Sequence, residues 1–298
     1  MVHRGDRRGS RPRRLVFAFA PPADAWPSAL LRGHQLMEIV REARGEIECH
    51  ATTLADLWQR RDEWVVLTKS ALLASARGDI QRLRALGHRL IADFIDLAVD
   101  ADIAASVDVL LASSFSQYRF FQNRFPQVMT LHVTHHVDLR MPAISTPADR
   151  ARFGYFGNLA NCLHAKKIAD LVRIVDAHDG FDTSWMARLS QSNAHYAIRA
   201  AEDPRVFKPF LKGFVAAHCG VPIIVAATDA EARHYLGDDY PFVVEDLSLG
   251  SVRRHIKLFA DQYATSTWKS AVERLRGIAA QSNRRHVEDE LRVVLDAI

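Results

Sequence analysis

Residues 207–225 read Phe-Lys-Pro-Phe-Leu-Lys-Gly-Phe-Val-Ala-Ala-His-Cys-Gly-Val-Pro-Ile-Ile-Val. Lys208 and Lys212 are four residues apart, so they share one face if this segment is helical. Gly220 is placed to end that helix, and the apolar run Ile223–Val225 indicates a buried parallel strand. A basic helix that leads into a parallel strand is a common way to hold an anionic phosphate.

The same pattern resembles the donor-binding half of GT-B-fold glycosyltransferases, in which a helix precedes an Ala-x-x-x-Gly-x-Pro-x-Ile turn and strand. The resemblance is close over residues 207–225 and looser over the remaining C-terminal half. Many retaining members of that fold carry two glutamates eight residues apart, at positions that Phe207 and Val215 occupy here. The residues therefore do not indicate a retaining mechanism, and the stereochemistry stays open.

The composition is that of an ordinary folded protein with room for two domains. The chain has 298 residues, of which 48% are hydrophobic and 25% are charged. No apolar run approaches the roughly 18 residues of a membrane helix, and the N-terminus lacks the apolar core of a signal peptide. The three cysteines show no CxxC spacing, which argues against a disulfide framework or a zinc site. These features predict a cytoplasmic protein without a transmembrane segment.

The charge is concentrated at the N-terminus. Residues 1–14 contain six arginines and one aspartate, whereas the whole chain has a net charge of +4, so the remainder is close to neutral. We expect a basic, disordered tail over residues 1–14. Such a tail is able to make weak contact with nucleic acid or an anionic surface, although no aromatic residues interleave its arginines.

Strands alternate with helices in both halves of the sequence, which predicts parallel sheets covered by helices. A Pro-containing linker near Pro142 separates the halves. We predict an α/β fold with two Rossmann-like, doubly wound domains over residues 15–141 and 150–298, and a helical C-terminal segment. The predicted strands are Leu15–Ala20, Glu46–His50, Trp64–Leu67, Arg89–Leu97, Val107–Ala112, Val128–Val133, Phe153–Phe156, His195–Ile198, Ile223–Val225 and Tyr240–Val244.

A helix is predicted over Cys162–Ala177, since Ile168, Leu171, Val172 and Val175 then share one face. Helices are also predicted after Leu247, with breaks near Ser266 and Ser282. In GT-B proteins the last helices commonly cross back to the N-terminal domain. The resemblance implies the same here.

Gly157 and Asn158 end the first predicted strand of the second domain. Ligands bind at the carboxyl ends of strands in open α/β sheets, and a glycine lets backbone N–H groups approach a phosphate closely. The spacing from Gly154 does not match a GxGxxG fingerprint. The resemblance implies that Gly157 and Asn158 contact the donor, and that Lys208 and Lys212 stabilise its diphosphate leaving group.

Thr228 and Glu231 follow the strand Ile223–Val225. Locally they are typical of a helix N-terminus, with Thr228 or Asp229 as the cap. The resemblance adds a binding role, because an acidic residue near this place in GT-B proteins often holds the ribose or the sugar. Thr228 and Glu231 are therefore candidate donor-binding residues.

Candidate catalytic bases lie in two loops of the first half. His135 and His136 follow the last strand before the linker, and they point to opposite faces if the strand continues, so one of them faces the cleft. Asp24 and His34 lie in or after the loop of the first strand, and the sequence does not choose between them. His135, His136 and Asp24 form our catalytic set; no third ligand converges on the histidines to suggest a metal site.

The sequence thus predicts an enzyme that moves a sugar from a nucleotide-diphosphate donor, held by the second domain, to an acceptor held by the first. We predict no cofactor and no metal ion, with the nucleotide sugar as substrate. Two alternatives remain. The chain binds a nucleotide without transfer, or it modifies nucleic acid held by the tail over residues 1–14.

Overall fold

The computed structural model describes residues 14–22, 26–199 and 205–298. Asp24 and nearly all of the predicted basic tail, residues 1–13, lie outside these ranges. Eleven strands are found in the described part of the chain. They are β1 (Arg14–Phe19), β2 (Glu48–Thr53), β3 (Trp64–Leu67), β4 (Arg89–Ala92), β5 (Val109–Ala112), β6 (Met129–His132), β7 (Phe153–Gly157), β8 (Val172–Asp176), β9 (Ala194–Tyr196), β10 (Ile223–Ala226) and β11 (Val243–Val244).

Helices connect the strands. In chain order they are α1 (Pro27–Ala29), a π-helical segment (Leu30–Gln35), α2 (Leu36–Ala43), α3 (Leu54–Leu57), α4 (Lys69–Ala74), α5 (Arg77–Ala85), α6 (Ala101–Ala104), α7 (Phe115–Arg124), α8 (Ser184–Leu189), α9 (Leu211–Cys219), α10 (Ala230–Leu236), α11 (Leu249–Asp261), α12 (Ser266–Ala279) and α13 (Arg284–Ala297). Short 3-10 turns occupy Leu159–Asn161, Ala165–Lys167 and Ala280–Ser282.

The strands form two parallel sheets, which confirms the predicted α/β fold with two Rossmann-like domains. The first sheet has the order β2-β1-β3-β4-β5-β6, and the second has the order β11-β10-β9-β7-β8. In each sheet the chain passes from the first strand to an edge strand and then crosses to the other side of the first strand. The strand order therefore reverses between β1 and β3, and again between β7 and β9. Open α/β sheets bind ligands outside such a reversal point, at the carboxyl ends of the strands.

The predicted helix over Cys162–Ala177 is wrong. The segment contains a 3-10 turn at Ala165–Lys167 and then the edge strand β8. Of the apolar residues that suggested a helical face, Ile168 is buried just after the turn, and Val172 and Val175 are buried in the strand. Consecutive β-branched residues around Ile174 favour a strand once β7 offers a partner.

The last helix belongs physically to the first domain, as the resemblance implied. Val287, Leu291, Val294 and Leu295 of α13 lie in one apolar cluster with residues of β1 and α2. Glu290 of α13 also accepts hydrogen bonds from the backbone N–H and the hydroxyl of Thr134, at 2.7 and 2.9 Å. The C-terminal helix thereby holds the chain just after β6, next to the candidate histidines.

Candidate functional site

A cavity of about 520 Å³ lies where the carboxyl ends of the two sheets face each other. Both reversal points contribute to it: Lys69 follows β3 in the first sheet, and Gly157 ends β7 in the second. We call it the interdomain cavity. Its polar and charged lining residues are Ser28, Lys69, Asp96, His135, Asp138, Arg140, Asn158, Asn161, His178, Asp179, His195, Arg199, Lys208 and Lys212.

Gly157 and Lys212 form one wall of the cavity. Gly157 has a φ of +150°, and a Cβ there would lie 3.2 Å from Nζ of Lys212, so the ammonium group packs close to the bare backbone. The same Nζ lies 5.1 Å from the centre of the Tyr155 ring. The Tyr155 hydroxyl donates to the backbone carbonyl of Asn158 at 2.6 Å. These contacts place a cation beside an exposed turn of backbone at the end of β7.

The two lysines do not share a helical face, so that prediction is wrong. Helix α9 begins at Leu211, and Lys208 lies before it in an irregular segment that includes Pro209. Nζ of Lys208 instead reaches across to the first domain and lies 2.8 Å from Oδ2 of Asp96. Both lysines nevertheless line the interdomain cavity. Gly220 ends α9 with a φ of +66°, which confirms its predicted role.

Asp96 forms ion pairs with two lysines. Its Oδ1 accepts from Nζ of Lys69 at 2.5 Å, while its Oδ2 accepts from Lys208. Burial by itself raises the pKa of Asp96, but the ammonium groups of Lys69 and Lys208 outweigh that effect and hold the pKa well below its ordinary range. Asp96 is therefore a carboxylate at neutral pH.

His135 and His136 differ in what they face, as predicted for neighbouring residues after a strand. His135 lines the interdomain cavity, whereas His136 does not. His136 is fully buried, and its Nε2 lies 3.1 Å from Oε1 of Gln35. Burial and the nearby Arg32 guanidinium lower the pKa of His135 to about 3, so its imidazole is neutral at pH 7.

A buried ion pair packs against the segment that leads to His135 and His136. Nε of Arg32, in the π-helical segment, donates to Oδ2 of Asp93 at 2.8 Å, and both side chains are essentially inaccessible to solvent. Arg32 also donates to the carbonyls of Val133 and Thr134, at 2.6 and 3.2 Å. The guanidinium thereby fixes the backbone immediately before His135.

A second chain of hydrogen bonds leads from the first domain to the second. Gln35 donates to Oδ1 of Asp138 at 2.8 Å, and Asp138 is paired with Arg140 at 2.6 Å. Arg140 donates to the carbonyl of Gly180 at 2.7 Å, across the gap between the domains. A Cβ on Gly180 would lie 2.9 Å from Cα of Pro27, so a larger residue would clash where the two domains touch.

Thr228 and Glu231 do not line the cavity. Asp229, not Thr228, caps α10 by accepting from the N–H of Ala232 at 3.0 Å. Thr228 is exposed, and neither it nor Glu231 belongs to the residues that line the cavity. Glu231 is only 3% exposed. The structure therefore brings Gly157, Asn158, Lys208, Lys212 and His135 together, but not Thr228, Glu231 or His136.

Sequence reasoning missed several residues of the cavity. Lys69 and Asp96 follow β3 and β4, and Arg199 follows β9, where its guanidinium lies 3.3 Å from Asp229. Each comes after the carboxyl end of a strand, so the rule that pointed to Gly157 would also have found them. His34, an alternative base, is not among the residues that line the cavity, and its ring stacks on Phe19 with the ring centres 4.7 Å apart.

His195, in the middle of β9, is a buried polar residue in the cavity wall. It is 3% exposed, and burial lowers its pKa to about 3. Its ring centre lies 5.0 Å from that of Phe156, and within the described residues its Nε2 has no hydrogen-bond partner. His195 thus adds a neutral imidazole to a mostly apolar part of the wall.

Residues 14–22, 26–199 and 205–298 contain neither a metal-binding cluster nor a membrane-spanning helix. No group of three histidine, cysteine or acidic side chains is arranged to hold a metal ion. Within the same ranges, every helix is too short or too polar to span a bilayer.

The fold is similar to that of several solved structures. HepE (Alr3699) from Anabaena, solved with UDP, aligns over 96% of this chain and all of its own, with a TM-score of 0.63 and 12% identity. The lipopolysaccharide outer core galactosyltransferase WaaB aligns over 95% and 99%, with a TM-score of 0.64 and 10% identity. Sucrose-phosphate synthase from Thermosynechococcus elongatus aligns over 96% and 98%, with a TM-score of 0.63 and 12% identity.

These likenesses show that the chain has the GT-B fold, as the resemblance over residues 207–225 implied. No family model and no curated protein sequence matches the chain.

Proposed function

We propose that the protein is a glycosyltransferase that uses a nucleotide-diphosphate sugar, with the diphosphate bound at the reversal point of the second sheet. The observation that carries this proposal is the arrangement of Lys212 beside the bare backbone of Gly157 in the interdomain cavity. Ammonium groups and free backbone N–H groups are the usual partners of a diphosphate. That HepE, a protein of the same fold, was solved with UDP makes UDP the first nucleotide to test.

The cations would act on the leaving group. When the bond between the sugar and the diphosphate breaks, negative charge develops on the diphosphate oxygens, and cations already in place stabilise that charge without reorganising. Lys212, Lys208 and Arg199 all come from the second domain and line the cavity. Among the described residues, five cationic and three acidic side chains line the cavity, and this lining favours an anionic ligand.

The first domain would hold the acceptor. Its wall of the cavity combines apolar residues with His135 and the Asp138–Arg140 pair. We propose His135 as the residue that receives the acceptor proton, with Asp24 as the alternative. A neutral imidazole is in the correct protonation state for a base, although a lowered pKa makes it a weaker one.

Donor hydrolysis by the purified protein tests the proposal. A panel of nucleotide-diphosphate sugars is incubated with wild type and with Lys212→Ala, and free nucleotide diphosphate is measured. We expect one donor to be hydrolysed by wild type and hardly at all by Lys212→Ala. Lys166→Ala is the matched control, because Lys166 is an exposed lysine of the same domain outside the cavity wall. If no donor is bound or hydrolysed, the proposal is wrong.

Binding without transfer is a second candidate. The observation in its favour is that apolar residues occupy the positions where many retaining members of the fold carry glutamates: Phe207, whose ring lies 4.8 Å from that of Phe120, and Val215 in the cavity wall. The same panel separates the two functions. Saturable binding of a nucleotide diphosphate with no hydrolysis and no transfer favours the second candidate.

A further inference from the structure

One carboxylate connects cations of both domains inside the interdomain cavity. Asp96, after β4, accepts from Lys69 of its own domain at 2.5 Å and from Lys208 of the second domain at 2.8 Å, through different oxygens. All three side chains are only 16–23% exposed. Attraction between charges is stronger in such a half-desolvated place than at the open surface.

Two ammonium groups share one carboxylate in this trio, and Lys212 also lines the same cavity. The ring of Trp26 lies 5.4 Å from Nζ of Lys69 and keeps that group at the cavity. The ammonium groups of Lys69, Lys208 and Lys212 therefore lie where an entering anion would reach them.

The Asp96 carboxylate contacts the two lysines in the way that a phosphate group would. Each of its two oxygens accepts from one ammonium group, and a phosphate group, with three terminal oxygens, bridges two ammonium groups in the same manner. We infer that Lys69 and Lys208 form an anion subsite that spans the two domains, that Asp96 occupies it in the free protein, and that a phosphate group of the ligand displaces Asp96. Only the identity of the ligand as a diphosphate rests on the proposed function.

Displacement has a consequence for affinity. Because Asp96 competes with the ligand for Lys69 and Lys208, removing its charge removes the competitor. Asp96→Asn should therefore bind inorganic pyrophosphate about three- to tenfold more tightly than wild type. Lys69→Met should bind it about three- to tenfold more weakly, since one of the two cations is lost.

Calorimetry of the full chain at one fixed, low ionic strength tests this inference. Inorganic pyrophosphate is titrated into wild type, Asp96→Asn, Lys69→Met and the control Asp102→Asn. Asp102 is an exposed carboxylate of the same domain, 70% exposed at its side chain, so the control makes the same change in net charge away from the cavity. We expect Asp102→Asn to bind pyrophosphate like wild type.

Each result decides the inference. Tighter binding by Asp96→Asn together with weaker binding by Lys69→Met supports it. Weaker or equal binding by Asp96→Asn overturns it, because the carboxylate then positions the lysines or takes no part. If Asp96→Asn does not fold, Lys69→Met decides alone, and unchanged affinity overturns the inference. A nucleotide sugar that is hydrolysed while neither variant alters pyrophosphate binding removes the subsite and leaves the proposed function. If both variants alter pyrophosphate binding as expected but no nucleotide sugar is bound or hydrolysed, the subsite stands and the proposed function is wrong.

Discussion

The carboxylate of Glu231 in the second domain accepts from the backbone N–H of Phe115 in the first, at 3.2 Å, and from that of Ser116 at 2.5 Å. Phe115 is the first residue of α7, whose free N–H groups and dipole favour a negative charge at this end. The ring of His234, one turn further along α10, stacks on Phe115 with the ring centres 4.1 Å apart. Glu231 thus joins the two domains.

We predict that Glu231→Gln weakens the contact between the two domains without altering donor binding. Hydrogen bonds to a charged group contribute about 1.5–3 kcal/mol, and part of this is lost when the charge is removed. Thermal unfolding should show lower stability than wild type and than the control Glu245→Gln, which changes an exposed residue. If donor affinity falls while stability is unchanged, Glu231 binds the ribose or sugar, as the resemblance implied.

A second prediction separates the paired histidines. His135→Ala should lower turnover by about 10²- to 10⁴-fold with little change in donor affinity, because His135 faces the cavity and would receive the acceptor proton. His136→Ala should mainly lower the unfolding temperature, since His136 is buried against Gln35. Steady-state kinetics and thermal unfolding of both variants check this. Full turnover by His135→Ala would move the base elsewhere, with Asp24 the next residue to test.

A third prediction concerns pH and stability. Burial lowers the pKa of His195 from 6.5 to about 3, so the unfolded chain binds a proton there before the folded protein does. The stabilising effect of this neutral histidine is complete above pH 6.5 and is lost as the pH falls from 6.5 towards 3. The loss is about 1.4 kcal/mol per pH unit for each such group. Denaturant unfolding between pH 7.5 and pH 5 should show this slope.

A matched pair of variants assigns that slope. The free energy of unfolding of His195→Gln should depend less steeply on pH than that of wild type, because the glutamine amide does not titrate. His178→Gln should keep the wild-type slope, since His178 is 63% exposed at its side chain. Equal slopes for all three proteins would mean that the protonation of His195 does not contribute to acid destabilisation.

A fourth prediction concerns metal ions. Nucleotide binding and donor hydrolysis should persist in EDTA, because lysine and arginine side chains supply the positive charge in the cavity. The adjacent acidic residues Asp238 and Asp239 pair with Arg233 and Arg274 at the surface, so their carboxylates already have partners. Loss of binding on chelation, restored by Mg²⁺ or Mn²⁺, is the contrary result.

The sequence predicts the fold well where local signals and tertiary contacts agree. The helix that ends at Gly220 and the strand after Pro222 both agree with the prediction. A glycine is the usual residue at a helix C-terminus, and a continuous apolar run is typical of a buried parallel strand. The sequence alone predicts a helix over Cys162–Ala177 because the apolar spacing of this segment fits one. Its strand exists through pairing with β7, and a single-sequence pattern does not contain that partner.

The site was predicted in part for a related reason. Gly157, Lys208 and Lys212 stand in recognisable local patterns, and they do line the cavity. The link between Lys208 and Asp96 joins residues 112 positions apart in the chain, so only the tertiary structure shows it. Glu231 has the local pattern of a helix start, and its partner at Phe115 is similarly remote.

Calorimetry of UDP and of uridine, with wild type and with Lys212→Ala, tests the central claim most directly. We predict that wild type binds UDP more tightly than uridine, and that Lys212→Ala loses about 1.5–3 kcal/mol of UDP binding while uridine binding hardly changes. Lys208→Ala should weaken UDP binding by a similar amount. Equal UDP affinity in wild type and in the Lys208→Ala/Lys212→Ala double variant, or no binding of any nucleotide diphosphate by wild type, would contradict the account.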